Sequence, residues 1–228
     1  MVKYKPMDLS RIQNITIPSM SWVMGFTATD GCIWDAKSCY CLEYGIHQQD
    51  LDILKKIRKV LKVNDRLIRF RDIVDKRSGT VTPTCRLRVY GKDIYKAFQT
   101  WNIGERKSLD IKFPHDIPFM RDFLRGAFDG DGCISLYKTT TINKLFICGC
   151  SEEFIEGCKT EFDKLGIESK IEKKEEYQKG EPRKNPLYEL QFSKSPDNVK
   201  ILYNFLYEDA KYFSKRKKSI FDKYLKHC

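Results

Sequence analysis

Two aspartates in matching sequence contexts are the residues of this chain best suited to chemistry. Asp30 lies in the stretch GFTATDGCI (residues 25–33), and Asp131 lies at the same position of GAFDGDGCI (residues 126–134). Two carboxylates that come close together repel each other, and a divalent metal ion held between them removes that repulsion. A metal ion bound in this way activates water and stabilises a leaving oxygen, which is the chemistry of phosphodiester hydrolysis. The repeat therefore predicts a metal-binding pair of carboxylates, provided that the fold brings its two copies together.

The residues around each aspartate predict that both copies form the end of a helix. An apolar, helix-compatible run precedes each aspartate, and Asp-Gly followed by a β-type segment comes after it. Gly31 and Gly132 are then expected in the left-handed conformation that often ends a helix. Small residues also recur at one-turn spacing, and they would let the two helices pack backbone to backbone. These small residues are Gly25, Ala28 and Thr29 in the first copy and Gly126, Ala127 and Gly130 in the second.

Together with the residues before them, the two stretches resemble the two motifs of single-chain LAGLIDADG homing endonucleases. The second stretch, LRGAFDGDG (residues 124–132), follows the motif closely. The first, VMGFTATDG (residues 23–31), has Ala28 where the motif usually carries its first acidic residue, but it retains Asp30. The resemblance implies an α+β fold in which two pseudo-symmetric αββαββα repeats pack through the paired motif helices. Two antiparallel sheets would then form a DNA-binding saddle.

The resemblance also implies an activity and a cofactor. The expected activity is site-specific cleavage of both strands of a long double-stranded DNA target by metal-dependent hydrolysis, with Mg²⁺ or another divalent metal such as Mn²⁺. Asp30 and Asp131 would bind the metal, with further contacts from the backbone of Thr29 and Gly130. The chain would act as a monomer with internal pseudo-two-fold symmetry.

Three further catalytic residues are implied by position in the family pattern. Lys107 and Lys217 lie in the similar basic runs ERKS (residues 105–108) and KRKK (residues 215–218). In the family, a lysine at this place polarises water or stabilises the phosphorane. Gln48 would position water, and its counterpart in the second half would be Ser151, which makes the two sites unequal. Phosphate contact is the alternative interpretation of the basic runs.

Periodicity predicts the same order of elements in both halves. Residues 1–20 are expected to form an extended arm. The first half is expected to contain strands within residues 33–46, 66–74 and 84–90, with helices at residues 50–63 and 92–101. The second half is expected to contain strands at residues 134–139, 145–150, 169–175 and 187–192, with helices at residues 152–165 and after Pro196. Prolines at residues 114 and 118 mark the join, so the expected domains are residues 1–113, including the arm, and residues 114–228.

One face of each predicted sheet is expected to present side chains suited to reading DNA. In residues 84–90, apolar residues alternate with Thr84, Arg86, Arg88 and Tyr90, so one face packs on the core and the other presents guanidinium groups. Arginine and glutamine at strand spacing are suited to base edges in a major groove. An ordinary solvated sheet face is the alternative for any single residue. The candidate DNA-binding residues are Arg66, Arg69, Arg71, Arg86 and Arg88 in the first half and Lys138, Thr140, Glu189 and Gln191 in the second.

Composition supports a polyanionic partner. The 228 residues have a formal net charge of +11. No stretch approaches the roughly 20 apolar residues of a membrane-spanning helix, and residues 1–8 lack the apolar core of a signal peptide. We therefore expect an intracellular protein, in the cytoplasm of a bacterium or a phage-infected cell or in an organelle, with no membrane partner. The odd count of nine cysteines argues against a disulfide framework.

Two function classes remain open at this point. The first is the double-strand endonuclease, and retention of both aspartates favours it. The second is a binding protein on the same fold, either a maturase that binds its own intron RNA or a non-cleaving DNA-binding protein. A looser nuclease pattern, Pro196-Asp197 followed by Asp209-Ala210-Lys211, requires its last three residues on a strand, but apolar residues around it recur at helical spacing.

Overall fold

The computed structural model describes residues 7–64, 67–75, 78–105, 107–138, 140–174, 177–178, 181–182 and 185–227, which fold as two repeats with the same order of elements. The first repeat contains α1 (Ser10–Gln13), α2 (Pro18–Thr29), β1 (Gly31–Asp35), β2 (Tyr40–His47), α3 (Leu51–Leu61), β3 (Ile68–Val74), β4 (Val81–Gly91), α4 (Ile94–Gln99) and α5 (Lys107–Asp110). The second contains α6 (Met120–Asp131), β5 (Gly132–Tyr137), β6 (Thr141–Gly149), α7 (Glu152–Asp163), β7 (Ser169–Lys174), β8 (Tyr177–Gln178), β9 (Glu181–Pro182), β10 (Leu187–Phe192), α8 (Pro196–Tyr207) and α9 (Lys215–Leu225). The predicted α+β fold of two αββαββα repeats is confirmed.

Each repeat has one four-stranded antiparallel sheet. The strand orders are β1-β2-β4-β3 and β5-β6-β10-β7, so each strand of the first sheet has a counterpart in the second. The short hairpin of β8 and β9 is inserted between β7 and β10 and was not expected from the sequence. Within β4, Cys85, Leu87 and Val89 are buried while Arg86 and Arg88 are half-buried, which confirms the predicted alternation of these five residues.

The motif helices α2 and α6 pack directly against each other, as the small residues predicted. A Cβ atom on Gly25 would overlap the backbone carbonyl of Phe123, and a Cβ atom on Gly126 would overlap the carbonyl of Trp22. A Cβ atom on Gly130 would overlap the Thr29 hydroxyl. Glycine is therefore required at Gly25 and Gly126 because the two helix backbones approach too closely there for a side chain, whereas at Gly130 the obstacle is the Thr29 side chain.

The predicted left-handed conformation of Gly31 and Gly132 is wrong. Gly132 is extended, with φ of -72° and ψ of 147°, and the glycines with positive φ among the described residues are Gly79 and Gly166. Both residues instead begin strands directly after the helices. Glycine is needed because a Cβ atom would collide with the preceding helix turn, at Thr27 in the first repeat and at Phe128 in the second.

The prediction of an extended N-terminal arm is also wrong for residues 7–20. Residues 10–13 form α1, and α2 already begins at Pro18, a residue whose fixed φ suits the first turn of a helix. Ile12 and Ile15 are buried, and the Trp101 indole donates a hydrogen bond to the Ile12 carbonyl at 2.6 Å. This segment packs against the core because burying its two isoleucines removes apolar surface from water. Residues 1–6 lie outside the described residues.

One hydrophobic core extends through both repeats. It includes the connection between them, where Ile111, Phe113 and Ile117 are buried. The Phe113 ring packs on Phe123 and Phe154 of the second repeat. The predicted domain boundary between residues 113 and 114 remains a prediction. The two domains that it would separate share one hydrophobic core.

Candidate active site

The two aspartates lie at the C-terminal ends of the packed motif helices. Asp131 is the last residue of α6, and Asp30 caps α2. Burial, and to a smaller extent the negative charge of Asp30, raise the pKa of Asp131 to about 6 against the lowering effect of Lys107 and Lys217. A carboxylate at this end of a helix also faces the negative end of the helix dipole. The site is thus a place where negative charge accumulates.

Asp30 is more exposed to solvent than Asp131. It keeps a solvent-accessible surface, whereas Asp131 is half-buried. Crowding by protein atoms nevertheless raises the pKa of Asp30, opposed mainly by the positive charge of Lys217 and then of Lys107.

Lys107 and Lys217 occupy equivalent places beside the helix ends. Lys107 Nζ donates to the carbonyls of Ala28 at 2.8 Å and Thr29 at 2.6 Å. Lys217 Nζ donates to the carbonyls of Phe128 at 2.8 Å, Asp129 at 2.7 Å and Gly130 at 2.6 Å. Each ammonium thus donates to carbonyls at the C-terminal end of its motif helix and offsets the helix dipole there. The structure brings both predicted lysines to the aspartates.

These contacts also locate the predicted backbone ligands. The Thr29 carbonyl accepts from Lys107, and the Gly130 carbonyl accepts from Lys217. Both lysines are buried, and burial lowers their pKa values against the raising effect of the nearby aspartates. The Lys217 ammonium donates all three of its protons to these carbonyls, so it can reach a substrate only by giving up one of these bonds.

Two cavities open at the aspartates, one on each side. A cavity of about 150 Å³ joins Asp131 to Lys107, Thr29 and Ser151, and so combines residues of both repeats. A cavity of about 260 Å³ joins Asp30 to Glu43 and Arg86 on the first sheet. The carboxylates therefore border open space that continues, on the Asp30 side, onto the predicted DNA-reading face.

Gln48 and Ser151 are not equivalent, as predicted. Gln48 begins a single 3₁₀ turn (Gln48–Asp50), and its amide donates to the Thr84 carbonyl at 3.3 Å. Ser151 is buried, caps α7 by accepting from Phe154 N, and donates to the Ile111 carbonyl at 2.7 Å. The hydroxyl of Ser151 is therefore committed to structural contacts.

Asp129, which sequence reasoning passed over, is the best-connected carboxylate near the site. It is fully buried and accepts from the Trp22 indole at 2.8 Å, the Tyr207 hydroxyl at 3.0 Å and the backbone of Ser214 at 2.9 Å. Ser214 caps α9, which carries Lys217 in its first turn. Asp129 thus ties α2, α6 and α8 to the start of α9. Its motif position was visible in the sequence, but its partners were not.

A second missed contact joins the two repeats beside Asp30. The Arg216 guanidinium, in α9, binds the Asp50 carboxylate through Nε and Nη2, each at 2.9 Å from one oxygen. Asp50 is buried, so this pair is partly shielded from water. Asp50 and Arg216 both act on the pKa of Asp30, whereas the charges that act most strongly on the pKa of Asp131 are those of Asp30, Lys107 and Lys217. The two aspartates therefore lie in different surroundings.

The predicted DNA-binding residues lie on or beside the two sheets. Arg69 and Arg86 are cross-strand neighbours on β3 and β4, and Arg71 lies opposite Thr84. Thr84, expected on the open face, is buried, and its hydroxyl donates to the Arg71 carbonyl at 2.5 Å. Arg66 lies outside the described residues. Of the candidates in the second repeat, Lys138 and Thr140 lie in the turn between β5 and β6, and Glu189 and Gln191 lie on β10.

The charge of Asp131 predicts a pH-dependent loss of stability in metal-free protein. Its pKa is near 6 when folded and near 3.8 when exposed, so its contribution to stability is greatest below about pH 4 and falls as pH rises towards 6. We expect the free energy of unfolding of wild type, relative to Asp131→Asn, to drop by about 1–3 kcal/mol over that interval. Urea denaturation in EDTA at several pH values measures this difference. A difference independent of pH would mean that Asp131 is not in a charge-disfavouring site.

The residues present fit a hard divalent cation. Among the described residues, no group of three or more His, Cys, Asp or Glu side chains could hold a metal ion. Two carboxylates with raised pKa values nevertheless offer oxygen ligands where their surroundings disfavour negative charge, despite the two nearby lysines. Metal bound here would therefore rely on Asp30 and Asp131, completed by water or by oxygens of a bound phosphodiester.

Comparisons with known proteins agree with this architecture. The LAGLIDADG-like domain family matches residues 118–200. The structure of the homing endonuclease I-WcaI bound to its DNA recognition sequence is similar over 96% of this chain and 88% of that chain, with 14% identity and a TM-score of 0.61. The N-terminal LAGLIDADG domain of DUF199/WhiA is similar over 93% of each chain, with 15% identity and a TM-score of 0.51. The homing endonuclease I-LtrWI bound to target DNA aligns over 96% of this chain and 90% of that chain, with 10% identity and a TM-score of 0.48.

At these identities the structural similarity defines the fold and not the activity. No curated protein sequence matches the chain. Within the part of the chain that the structure describes, no helix is long and apolar enough to cross a membrane. Residues 118–200 therefore match the LAGLIDADG-like domain family, and the chain has, over nearly its whole length, the fold seen in the LAGLIDADG homing endonucleases.

Proposed function

We propose that this protein is a site-specific endonuclease that cleaves both strands of a double-stranded DNA target by metal-dependent hydrolysis. The observation that carries the proposal is the meeting of two carboxylates and two buried ammonium groups at the ends of the paired motif helices. Asp30 and Asp131 supply negative charge that a divalent metal would offset, and Lys107 and Lys217 supply positive charge beside it. A structural helix pair needs neither raised carboxylate pKa values nor open cavities beside them.

Each group has a role in this proposal. Asp30 and Asp131 hold the metal, Mg²⁺ or another divalent ion such as Mn²⁺, which when bound activates water and stabilises the leaving oxygen. Lys107 and Lys217 fix the helix-end carbonyls and place positive charge where the phosphorane gains negative charge. Gln48 orients water on the Asp30 side. Asp129 acts indirectly, because it holds the start of the helix that carries Lys217.

The two sheets would bind the duplex. Arginines of the first sheet and the polar side chains of β10 in the second lie at strand spacing, which suits base edges in a major groove. The net charge of +11 favours a polyanion. The similar I-WcaI structure is bound to its DNA recognition sequence. One chain supplies both repeats, so we expect a monomer to span the target.

A binding protein without cleavage activity is the second candidate. The similarity to the DUF199/WhiA domain, at a TM-score of 0.51, means that the fold alone does not decide between cleavage and binding. An intron RNA maturase would use the same fold on RNA. Retention of both Asp30 and Asp131 favours the nuclease, because neither is required for reading bases.

The deciding experiment incubates the full chain and Mg²⁺ with supercoiled plasmids that carry DNA flanking its own gene. Gel electrophoresis separates nicked from linear product. Linear product from one plasmid, absent in EDTA and absent with empty vector, supports the proposal. Tight binding of that DNA without cleavage in Mg²⁺ or Mn²⁺ would favour the DNA-binding alternative, and tight binding of the intron transcript alone would favour the maturase.

Lys217→Met is expected to slow cleavage by about 100-fold or more while changing DNA affinity in Ca²⁺ much less. The variant removes the charge beside the aspartates and three hydrogen bonds to helix-end carbonyls, of which the Phe128 carbonyl still accepts from Gly132 N, so we also expect it to lose about 1–3 kcal/mol of stability. Single-turnover cleavage and gel-shift assays, run where circular dichroism shows the variant folded, measure both effects.

Lys218→Met is the matched control, because Lys218 is the next residue of α9 but pairs with Asp222 and Tyr203 away from the aspartates. It should cleave at nearly the wild-type rate. Equal losses of cleavage and binding in Lys217→Met would instead make Lys217 a phosphate contact.

A further inference from the structure

An acidic side chain occupies the centre of the basic face of the first sheet. Glu43, on β2, lies directly opposite Arg88 on β4 and next to Arg86. Its Oε2 atom accepts from Arg88 Nε at 2.7 Å, and its Oε1 atom lies 3.3 Å from Arg86 Nη1. One carboxylate therefore holds two of the arginines predicted to read DNA, with one oxygen for each.

The surroundings keep this cluster intact and open towards a ligand. Glu43 is the most enclosed of the three side chains, with 16% of its surface exposed, against 26% for Arg86 and 43% for Arg88. Gly45 lies opposite Arg86, and a Cβ atom there would lie 3.7 Å from Arg86 Cγ, an ordinary van der Waals contact. Glu43 and Arg86 also line the cavity that begins at Asp30. The cluster thus lies at the inner end of the sheet, beside the candidate active site.

An acid at this position opposes DNA binding in general. Its charge repels phosphate, and it neutralises part of two guanidinium groups that would otherwise attract the duplex. A cross-strand ion pair on a partly exposed sheet face adds little to fold stability. Glu43 therefore reduces non-specific affinity without a matching gain in folding, which points to a role in selectivity.

The atoms that Glu43 engages indicate what that role is. Arg88 is held through Nε, which leaves the outer edge of its guanidinium, formed by one N–H of each terminal nitrogen, for a further contact. A guanine presents two acceptors, O6 and N7, that match two such nitrogens. Arg86 is held through one terminal nitrogen, which leaves its other nitrogens for contacts outward. A long flexible side chain fixed in this way loses less freedom when it binds and cannot swing to the nearest phosphate.

We propose that Glu43 is a specificity-determining positioning residue that sets the orientation of Arg86 and Arg88 for guanine contacts near the cleavage site. The inference rests on the proposed binding of double-stranded DNA, but not on cleavage. The second sheet contains a similar arrangement, because Glu189 lies 3.2 Å from Lys174 Nζ and accepts from Gln191 Nε2 at 3.0 Å. On the second sheet Lys174 also pairs with Glu172 at 2.8 Å, so both faces place carboxylates among their polar side chains, one on the first sheet and two on the second.

The test compares wild type with Glu43→Gln, which keeps the shape of the side chain and removes its charge. Sites are first selected by wild type from randomised duplex DNA in Ca²⁺. Affinity is then measured for the selected site, for copies with one base pair changed at each position, and for random-sequence duplex. Glu161→Gln is the control, because it removes the same charge from α7, where Glu161 pairs with Lys164.

The expected result is a loss of discrimination with a gain in general affinity. Glu43→Gln should bind random duplex more tightly than wild type does, and its preference for G·C at one or two positions should fall by about 10-fold, equivalent to about 1.4 kcal/mol. Glu161→Gln should change neither preference by a comparable amount. Arg88→Ala should relax the same position, and the two changes together should be less than additive, because both remove one oriented contact.

The results that would overturn the inference are distinct from failure of the proposed activity. Undiminished base preference in Glu43→Gln, or an absence of any base preference in wild type, overturns it even if the protein cleaves DNA. A site-selective protein that never cleaves would remove the endonuclease proposal and leave the role of Glu43 standing. A lower melting temperature with unchanged base preference would reduce Glu43 to a structural ion pair.

Discussion

Asp30→Asn and Asp131→Asn are each expected to slow double-strand cleavage by at least about 100-fold while leaving duplex binding in Ca²⁺ intact or slightly tighter. Each change keeps the shape of the side chain and removes one of the two charges that would hold the metal. Binding should not suffer, because neither residue lies among the reading side chains and both carboxylates repel phosphate. Supercoiled-plasmid cleavage, followed beside a gel shift in Ca²⁺, separates the two effects.

The two variants should also differ from each other. Asp30 has the Asp50–Arg216 pair and Gln48 on its side, whereas Asp131 faces Lys107 and a Ser151 hydroxyl already bonded to Ile111. Unequal surroundings predict different amounts of residual nicking in the two variants. Strand-specific end labels would identify which strand each variant still cuts.

Asp163→Asn provides the control for these variants. Asp163 is exposed on α7 and pairs with Lys159, so its loss should leave both cleavage and binding nearly unchanged. Wild-type cleavage rates in Asp30→Asn and Asp131→Asn would refute the assignment of the catalytic site. Equal losses of binding and cleavage would instead place the aspartates in DNA contact or in folding.

Gly126→Ala and Gly25→Ala are expected to lower the free energy of unfolding by about 3 kcal/mol or more. The added Cβ atom would overlap a backbone carbonyl of the facing helix, which cannot move aside as a flexible side chain could. The helices must therefore separate, and that separation would move the two aspartates apart. We expect the folded fraction of these variants to cleave poorly as well. Urea denaturation and thermal melts, with cleavage measured below the melting temperature, test both effects.

Gly104→Ala is the matched control for this prediction. A Cβ atom there would lie 3.4 Å from the nearest atom of Tyr95, an ordinary van der Waals distance, and Gly104 does not have positive φ. Its stability should change by less than about 1 kcal/mol. Alanine variants of Gly25 and Gly126 as stable as Gly104→Ala would mean that the helices do not pack backbone to backbone.

The sequence by itself determined the order of elements and the pairing of the motif helices. Helices and strands follow from local periodicity. The helix predicted at residues 50–63 and the strand predicted at residues 84–90 agree with the observed elements to within a few residues at each end. Close helix packing follows from glycines at one-turn spacing, because no other residue permits that approach. The convergence of Asp30 and Asp131 then follows from their equivalent places at the ends of those helices. The duplication made these patterns readable, since each half repeats the other.

Only the tertiary structure decided what surrounds those aspartates. Lys217 reaches the carbonyls of α6 from a distant helix, Asp129 finds its three partners on three other segments, and Asp50 pairs with Arg216 across the repeats. Such contacts join residues far apart in the chain and leave no periodic trace in its sequence. The same limit explains the errors at Gly31, Gly132 and the N-terminal segment. A glycine looks alike whether it serves a left-handed turn or a close approach, and only the packed neighbours distinguish the two.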